Sequence, residues 1–236
     1  VGLDSARRQV ARLAGARPGV VSAGTAVVVV VAVVALATVW WTYQVPFTTR
    51  TVSMPAWFAN GATRLPANSV VLTLPFPFPS DGSSAPMVWQ AEDDMRFRLA
   101  GGYAKAPGPG GRPLSNRPNR PPYGTLTRLS SSFLGRPPSG TPAEVAGLRA
   151  ALRRWGVDDV VVTNRIPDPA LAATVLTGVV GRAPARREGA WVWDLRHRPV
   201  ARGDVAGASA AVRACSAGQR TEGDGPECVA GRLGSG

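Results

Sequence analysis

The chain has 236 residues, and 27 Lys and Arg against 15 Asp and Glu give it a formal net charge of +12, which allows one or two compact domains. Nucleic acid is not expected as a partner, because the arginines are scattered and no nucleic-acid-binding motif accompanies them. No charged residue lies between Arg17 and Arg50, and a gap of this length argues against a wholly soluble protein.

Residues 20–41 are uncharged and mostly apolar, and they predict one membrane-spanning helix. As a helix this segment would extend about 33 Å, enough to cross a hydrocarbon core of about 30 Å. Four arginines precede it in the basic segment 1–19, whereas Arg50 alone follows it closely. This imbalance predicts a cell-membrane protein that passes once through the bilayer, with a cytoplasmic N-terminus and an extracytoplasmic C-terminus.

The same segment allows a second interpretation, a cleaved signal peptide, because residues 35–37 match a small-residue cleavage pattern. The uninterrupted apolar length and the aromatic pair Trp40 and Trp41 favour an anchor that is retained. Both interpretations place the remaining chain outside the cytoplasm. The sequence also leaves open whether Val1 is a true start or the chain is a fragment of a multi-pass protein.

After a connector at 42–66, the first elements of an outer domain at 67–198 are predicted by short apolar runs. Residues 68–76 favour a buried strand, and residues 92–99 favour a short helix with acidic residues at its start and arginines near its end. Residues 106–122 are rich in Pro and Gly and predict a long loop without regular structure.

The second half of the outer domain alternates helices and strands. Thr141 and Glu144 form a capping box that opens a helix ending at Gly156. A strand at 157–163, a helix from 168 to about 180 and a strand at 190–195 follow. This order predicts an α/β fold of two or three layers with a mainly parallel sheet.

The tail at 199–236 is rich in Ala, Gly and Arg and shows no convincing core pattern, but it contains both cysteines of the chain. Outside the cytoplasm, the spacing of Cys215 and Cys228 favours a disulfide over two free thiols. A zinc site is not expected, since only His197 could assist the thiols. We predict no metal ion and no cofactor.

Candidate catalytic residues are few. The carboxylates at 92–94 are the densest acidic group, but adjacent helical residues diverge by about 100°, so a helix N-terminus is the favoured interpretation over a cation or proton-transfer site. No serine-hydrolase elbow or phosphate-binding loop is present. The sequence therefore leaves the catalytic residues, and whether the chain is an enzyme, undetermined.

Several short segments carry a resemblance to a known family: Leu-Thr-Leu-Pro-Phe at 72–76, Met-Val-Trp-Gln-Ala at 87–91, Met-Arg-Phe-Arg at 95–98 and Gly-Gly-Tyr at 101–103, then Trp-Gly-Val at 155–157 and Val-Val-Val at 160–162. In this order they resemble the C-terminal extracytoplasmic part of actinobacterial multi-spanning membrane glycosyltransferase-like proteins of the GT-C type, which use lipid-linked sugar donors. The resemblance covers about residues 20–195.

The resemblance implies an outer domain that helps to bind an acceptor or a lipid-linked sugar. The catalytic carboxylate of that superfamily lies in the first outer loop, which has no counterpart here, so this chain alone would not be the whole catalyst. The candidates for sugar or phosphate contact are Trp89, Gln90, Arg96, Arg98 and Tyr103.

Two alternatives stay open at this point. Trp89 and Tyr103 are equally explained by packing in the core. The competing function is that of a non-enzymatic single-pass cell-envelope protein, whose outer domain binds a cell-wall polymer or a protein partner. Under either hypothesis the lipid bilayer is an expected partner.

Overall fold

The computed structural model describes residues 18–43, 51–77, 84–102, 106–107, 113–114, 122–131, 138–217 and 224–234. The chain divides into two compact units, Val1–Thr51 and Val52–Gly236. The first unit contains helix α1, Pro18–Tyr43. The side chains of α1 are described only for residues 27–41, and within the described part of the chain no helix is both long and apolar enough to cross a membrane.

The second unit is an α/β domain. Its described strands are β1 (Val70–Leu74), β2 (Arg98–Leu99), β3 (Ala106–Pro107), β4 (Pro113–Leu114), β5 (Asp159–Val162), β6 (Ala185–Arg187) and β7 (Ala190–Asp194). Its described helices are α2 (Ala85–Glu92), α3 (Tyr123–Ser130), α4 (Pro142–Trp155), α5 (Pro169–Val180), α6 (Val205–Ala217) and α7 (Asp224–Gly234). The predicted α/β class is confirmed.

The main sheet has the strand order β2-β1-β5-β7-β6 and is mixed rather than mainly parallel. Strand β1 is parallel to β2 and β5, whereas β7 is antiparallel to both β5 and β6. The predicted mainly parallel sheet is therefore present only in its core, β2, β1 and β5. The last strand departs from it because the chain first forms β6 and then reverses at Glu188 and Gly189, where φ is 50° and 79°. This hairpin inserts β7 beside β5 in the opposite direction.

Two predicted helices are confirmed with their caps. At the start of α4, the Thr141 hydroxyl accepts a hydrogen bond from the Glu144 backbone N–H at 3.3 Å, and a Glu144 carboxylate oxygen accepts from the Thr141 backbone N–H at 3.0 Å. Gly156 ends this helix with φ of 60°. At the start of α5, Asp168 accepts from the backbone N–H of Leu171 at 2.8 Å.

Each face of the sheet has its own hydrophobic cluster. Alternate residues such as Val70, Leu72 and Val160 pack with apolar side chains from α3 to α7. The residues between them, including Val71 and Val161, pack with aromatic side chains on the other face, namely Trp57, Phe58, Trp89 and Phe97. The sheet is therefore buried between helices on one side and an aromatic layer on the other.

The predicted helix at 92–99 was wrong. Helix α2 precedes it and ends at Glu92, after which Asp94 and Met95 have φ of 49° and 56°, and Arg98 and Leu99 form β2. Trp89 and Phe97 are both buried in the aromatic layer, so the chain must reverse between them. Burial of these two rings outweighs the charge pattern that favoured a helix.

Two segments expected to lie outside the core contribute to it. In the predicted connector 42–66, one π-helical turn at Trp57–Gly61 buries Trp57 and Phe58. In the predicted tail 199–236, α6 and α7 bury Val212 and Val229 against the main cluster. Small residues dominate both tail helices, so their buried faces carry little hydrophobic signal in the sequence.

Two further local predictions have opposite outcomes. Cys215 on α6 and Cys228 on α7 form a disulfide with a Cα–Cα distance of 5.9 Å, which confirms the predicted pair. Within the loop predicted at 106–122, however, β3 and β4 form a short antiparallel ladder that pairs Ala106 with Leu114. Proline is tolerated in these strands because each is at the edge of a ladder only two residues long.

Candidate functional site

Trp89 is one of the two aromatic residues among the predicted contacts, and it lies in the core. It is 1% exposed, and its ring centroid is 4.8 Å from that of Phe58. Its indole N–H donates to the backbone carbonyl of Ser53 at 3.3 Å. In this arrangement the ring packs against protein atoms and is not open to a ligand.

The remaining predicted contacts do not converge on one cavity. The Gln90 side-chain amide donates to the Phe97 carbonyl at 2.7 Å and so bridges the reversal between α2 and β2. The Arg96 guanidinium donates to the Thr63 carbonyl at 3.3 Å. Tyr103 lies outside the described residues.

Arg98 is the predicted residue that borders a cavity on the helical side of the sheet. The cavity has a volume of about 410 Å³, and we call it the aromatic groove. It is lined by Val70, Arg98, Leu99, Ala100, Gly101, Tyr123 and Trp155. Strand β2 forms one wall at the edge of the sheet, so the exposed Arg98 side chain stands at its rim.

Two half-buried aromatic rings form the other wall of the aromatic groove. Tyr123 is the first residue of α3 and Trp155 the last of α4, and their ring centroids are 5.5 Å apart at an interplanar angle of 43°. Phe76 continues this row behind Tyr123, with centroids 6.0 Å apart. Phe76 therefore supports the ring of Tyr123, and Tyr123 in turn supports the ring of Trp155.

Position 101, where the groove meets the row of aromatic rings, requires a glycine. Its φ is +147°, and a Cβ at this position would lie 2.5 Å from the Phe76 ring. A larger residue would displace the ring that supports Tyr123. The groove thus offers flat aromatic surface beside a guanidinium, a combination suited to a ligand with an apolar ring face and an anionic or hydroxyl group.

No known protein family, curated protein or solved structure matches this chain. The functional argument therefore rests on the geometry of the described residues. Among those residues, no group of three His, Cys, Asp or Glu side chains is placed to hold a metal ion.

Sequence reasoning missed the two aromatic residues of the groove. Helical spacing places Trp155 on the apolar face of its helix with Val145, Leu148 and Leu152, and Tyr123 lies next to the Pro-rich loop, where no periodic pattern indicates a role. One signal was available, since Trp155 directly precedes the helix-ending Gly156. The side chain of the last helical residue lies over the preceding turn, and Trp155 is only partly buried there.

Proposed function

We propose that the chain is a membrane-anchored extracytoplasmic domain that binds a lipid-linked sugar or a glycan acceptor for a glycosyltransferase-like protein of the GT-C type, and that it performs no transfer by itself. The observation that carries this proposal is the aromatic groove, in which Arg98 lies beside Tyr123 and Trp155.

The groove has the chemistry that sugar phosphates need. A pyranose ring presents C–H groups on one face, and these pack on the electron-rich faces of aromatic rings. A guanidinium pairs with phosphate through two parallel hydrogen bonds. Arg98 is exposed at the edge strand, and the ring centroids of Tyr123 and Trp155 are close enough for one sugar unit to contact both.

The membrane anchor and its direction are part of the proposal. Helix α1 includes the uncharged residues 20–41, and the arginine excess before it favours a cytoplasmic N-terminus. The Cys215–Cys228 disulfide supports an oxidising location for the second unit. A reporter active only in the cytoplasm, fused after Gly236, is expected to be silent, and activity there would refute this orientation.

A second candidate is a non-enzymatic envelope protein that uses the same groove to hold a cell-wall polymer. It is favoured by one observation, the compact second unit Val52–Gly236 with its own two-sided core. The two candidates differ in their dependence on a catalytic partner. Loss of lipid-linked sugar transfer in a strain that carries groove variants supports the first, and unchanged transfer with reduced polymer retention supports the second.

The groove itself is tested by binding of the full chain in detergent to a lipid-linked sugar phosphate and to cell-wall polysaccharide. Trp155→Ala and Arg98→Gln are each expected to weaken binding roughly fivefold to tenfold. The matched control for Arg98 is Arg202→Gln, because Arg202 is also exposed and does not border the aromatic groove. If all three variants bind as tightly as the parent chain and their thermal unfolding is unchanged, the groove is eliminated as the site.

A further inference from the structure

A second cavity lies on the opposite face of the sheet from the aromatic groove. It has a volume of about 150 Å³, and we call it the charged cleft because six charged residues line it, namely Arg64, Asp159, Arg187, Glu188, Asp194 and Arg196. Asp159 pairs with Val71 in the ladder between β5 and β1, whereas Val70 borders the groove. Because neighbouring residues of a strand point to opposite faces, the two cavities are separate.

Most of the charges in the charged cleft already have partners. The Arg64 guanidinium lies 3.4 Å from a Glu188 carboxylate oxygen. Asp194 lies 2.8 Å from Nδ1 of His197, and Arg196 lies 3.4 Å from Asp159. The cleft therefore has no excess of one sign that would select a strongly charged ligand.

Two buried polar atoms of the cleft are nevertheless left without hydrogen bonds. Asp159 is 2% exposed, and in the described part of the chain its Oδ2 accepts no hydrogen bond and Nε of Arg196 donates none. A buried polar atom without a hydrogen bond is costly, and such atoms often mark the position of a missing ligand group. Each atom lies beside an opposite charge, since Asp159 Oδ2 is 3.4 Å from a terminal nitrogen of Arg196 and Nε of Arg196 is 3.6 Å from Asp194 Oδ1, but neither contact is a hydrogen bond. One atom is an acceptor and the other is a donor.

A hydroxyl group meets both needs at once. It donates one hydrogen bond and accepts others, whereas an ammonium group only donates and a carboxylate only accepts. The cavity volume also limits the ligand, since an apolar cavity of about this size holds benzene, so the cleft has room for one six-membered ring whose remaining hydroxyls extend out of it. Trp57 and Leu65 supply apolar wall for the carbon skeleton of such a ring.

We propose that the charged cleft binds a single neutral polyhydroxylated ring, a monosaccharide unit or a cyclitol, through a hydroxyl that bridges Asp159 and Arg196. This site is independent of the aromatic groove and of the function proposed for it. Asp159 accepts the hydroxyl hydrogen, and Arg196 donates to the hydroxyl oxygen while its ion pair with Asp159 persists.

The test is a calorimetric titration of the full chain in detergent with myo-inositol, D-mannose and methyl α-D-mannoside, and with glycine as a zwitterionic comparison. At least one polyol is expected to bind saturably, and glycine is not. Binding of the free sugar but not of the methyl glycoside would assign the site to a soluble ligand. Binding of both would assign it to the terminal unit of a glycan.

Arg196→Lys keeps the positive charge but removes Nε, and it is expected to weaken polyol binding at least about tenfold. Asp159→Asn is expected to have an effect of similar size, and Arg196→Lys alone decides if the Asn variant does not fold. The control Arg202→Lys and the groove variant Trp155→Ala are expected to leave this binding unchanged. Absence of saturable polyol binding, tighter binding of glycine, or full binding by Arg196→Lys would overturn the proposal.

Discussion

The guanidinium of Arg149 donates through Nε to the backbone carbonyl of Val179 at 2.8 Å, and it thereby closes the C-terminal end of α5. The same side chain donates to the carbonyl of Gly178 at 2.9 Å and to that of Gly203 at 2.9 Å. The last carbonyls of a helix have no partner within the helix, so this arginine supplies them with donors. Burial lowers the pKa of Arg149, and the neighbouring charge of Arg153 lowers it further.

Replacing Arg149 tests this role. Arg149→Met keeps much of the side-chain volume but leaves the buried carbonyls of Gly178 and Val179, and the more exposed carbonyl of Gly203, without this donor. We expect it to lower the free energy of unfolding by about 2 to 4 kcal/mol. Arg149→Lys has fewer donors in a different geometry, and its free energy of unfolding should lie between those of the Met variant and the parent. Urea unfolding of the full chain, followed by tryptophan fluorescence, measures both. Equal stability of the Met variant and the parent would show that water replaces the guanidinium without loss.

Local sequence signals predicted the parts of the fold that depend on neighbouring residues. The capping box at Thr141 and the cap at Asp168 require only residues three positions away, and both are present. Strands β1, β5 and β7 were located for the same reason, because a short apolar run is visible without knowledge of its partner.

The remaining features depend on contacts between distant segments. The direction of β7 is set by the hairpin that precedes it, and the roles of Trp57 and Val212 depend on surfaces formed elsewhere in the chain. The same limit applies to the sites. Arg98 was identified and borders a groove, but its aromatic partners Tyr123 and Trp155 are respectively 25 and 57 positions away in the printed sequence.

Gly178 is predicted to be a contact point between α5 and α6. A Cβ at this position would lie 2.2 Å from Cγ2 of Val212, while a Cβ at Gly140 would lie 2.3 Å from Cγ1 of the same residue. Val212 is fully buried and cannot turn away from one glycine without meeting the other. Gly178→Ala should therefore lower the free energy of unfolding by about 1 to 3 kcal/mol, although alanine normally favours a helix.

The control for this substitution is Gly231→Ala in α7, where no atom of the described residues, apart from the adjacent backbone of the helix itself, lies within 4 Å of the added Cβ. In that open position alanine should stabilise the protein by up to about 1 kcal/mol. Opposite signs for the two variants in the same urea titration would support close packing at Gly178. A stabilising effect at both positions would contradict it.

The disulfide between Cys215 and Cys228 is expected to stabilise the packing of α6 and α7. It closes a loop with a sequence separation of 13, for which the chain-entropy model gives about 3 kcal/mol. The double variant Cys215→Ser and Cys228→Ser should lose about that amount of unfolding free energy. Intact mass without reductant should be two hydrogens below that of the reduced protein, and equal masses would show that the bond does not form.

Stability is also expected to depend on pH through Asp159. Burial raises the pKa of this carboxyl from 3.8 to about 6, although the charge of Arg196 lowers it and Asp194 raises it again. The folded state therefore holds the proton more tightly than the unfolded state does. The resulting stabilisation is complete below about pH 4 and is lost as the pH rises through about 6.

Asp194 acts in a different pH range. Burial raises its pKa, but hydrogen bonds from His197 and the charge of Arg196 outweigh that effect and leave the pKa below its ordinary value of 3.8. Its contribution to stability is present above pH 3.8 and is lost as the pH falls through the lower pKa of the folded state. A change of stability between pH 4 and 6 is thus assigned to Asp159 rather than to Asp194.

Asp159→Asn separates this contribution from all others. The amide has nearly the same shape and no charge. Between pH 5 and pH 7 the parent should therefore lose at most about 1 kcal/mol of unfolding free energy relative to the variant, after screening by water and salt. At pH 7 the variant should be the more stable protein, because it no longer buries an ionised carboxylate in the charged cleft. Parallel pH profiles for the two proteins would mean that Asp159 is ionised in the fold at no cost, and the raised pKa would then be wrong.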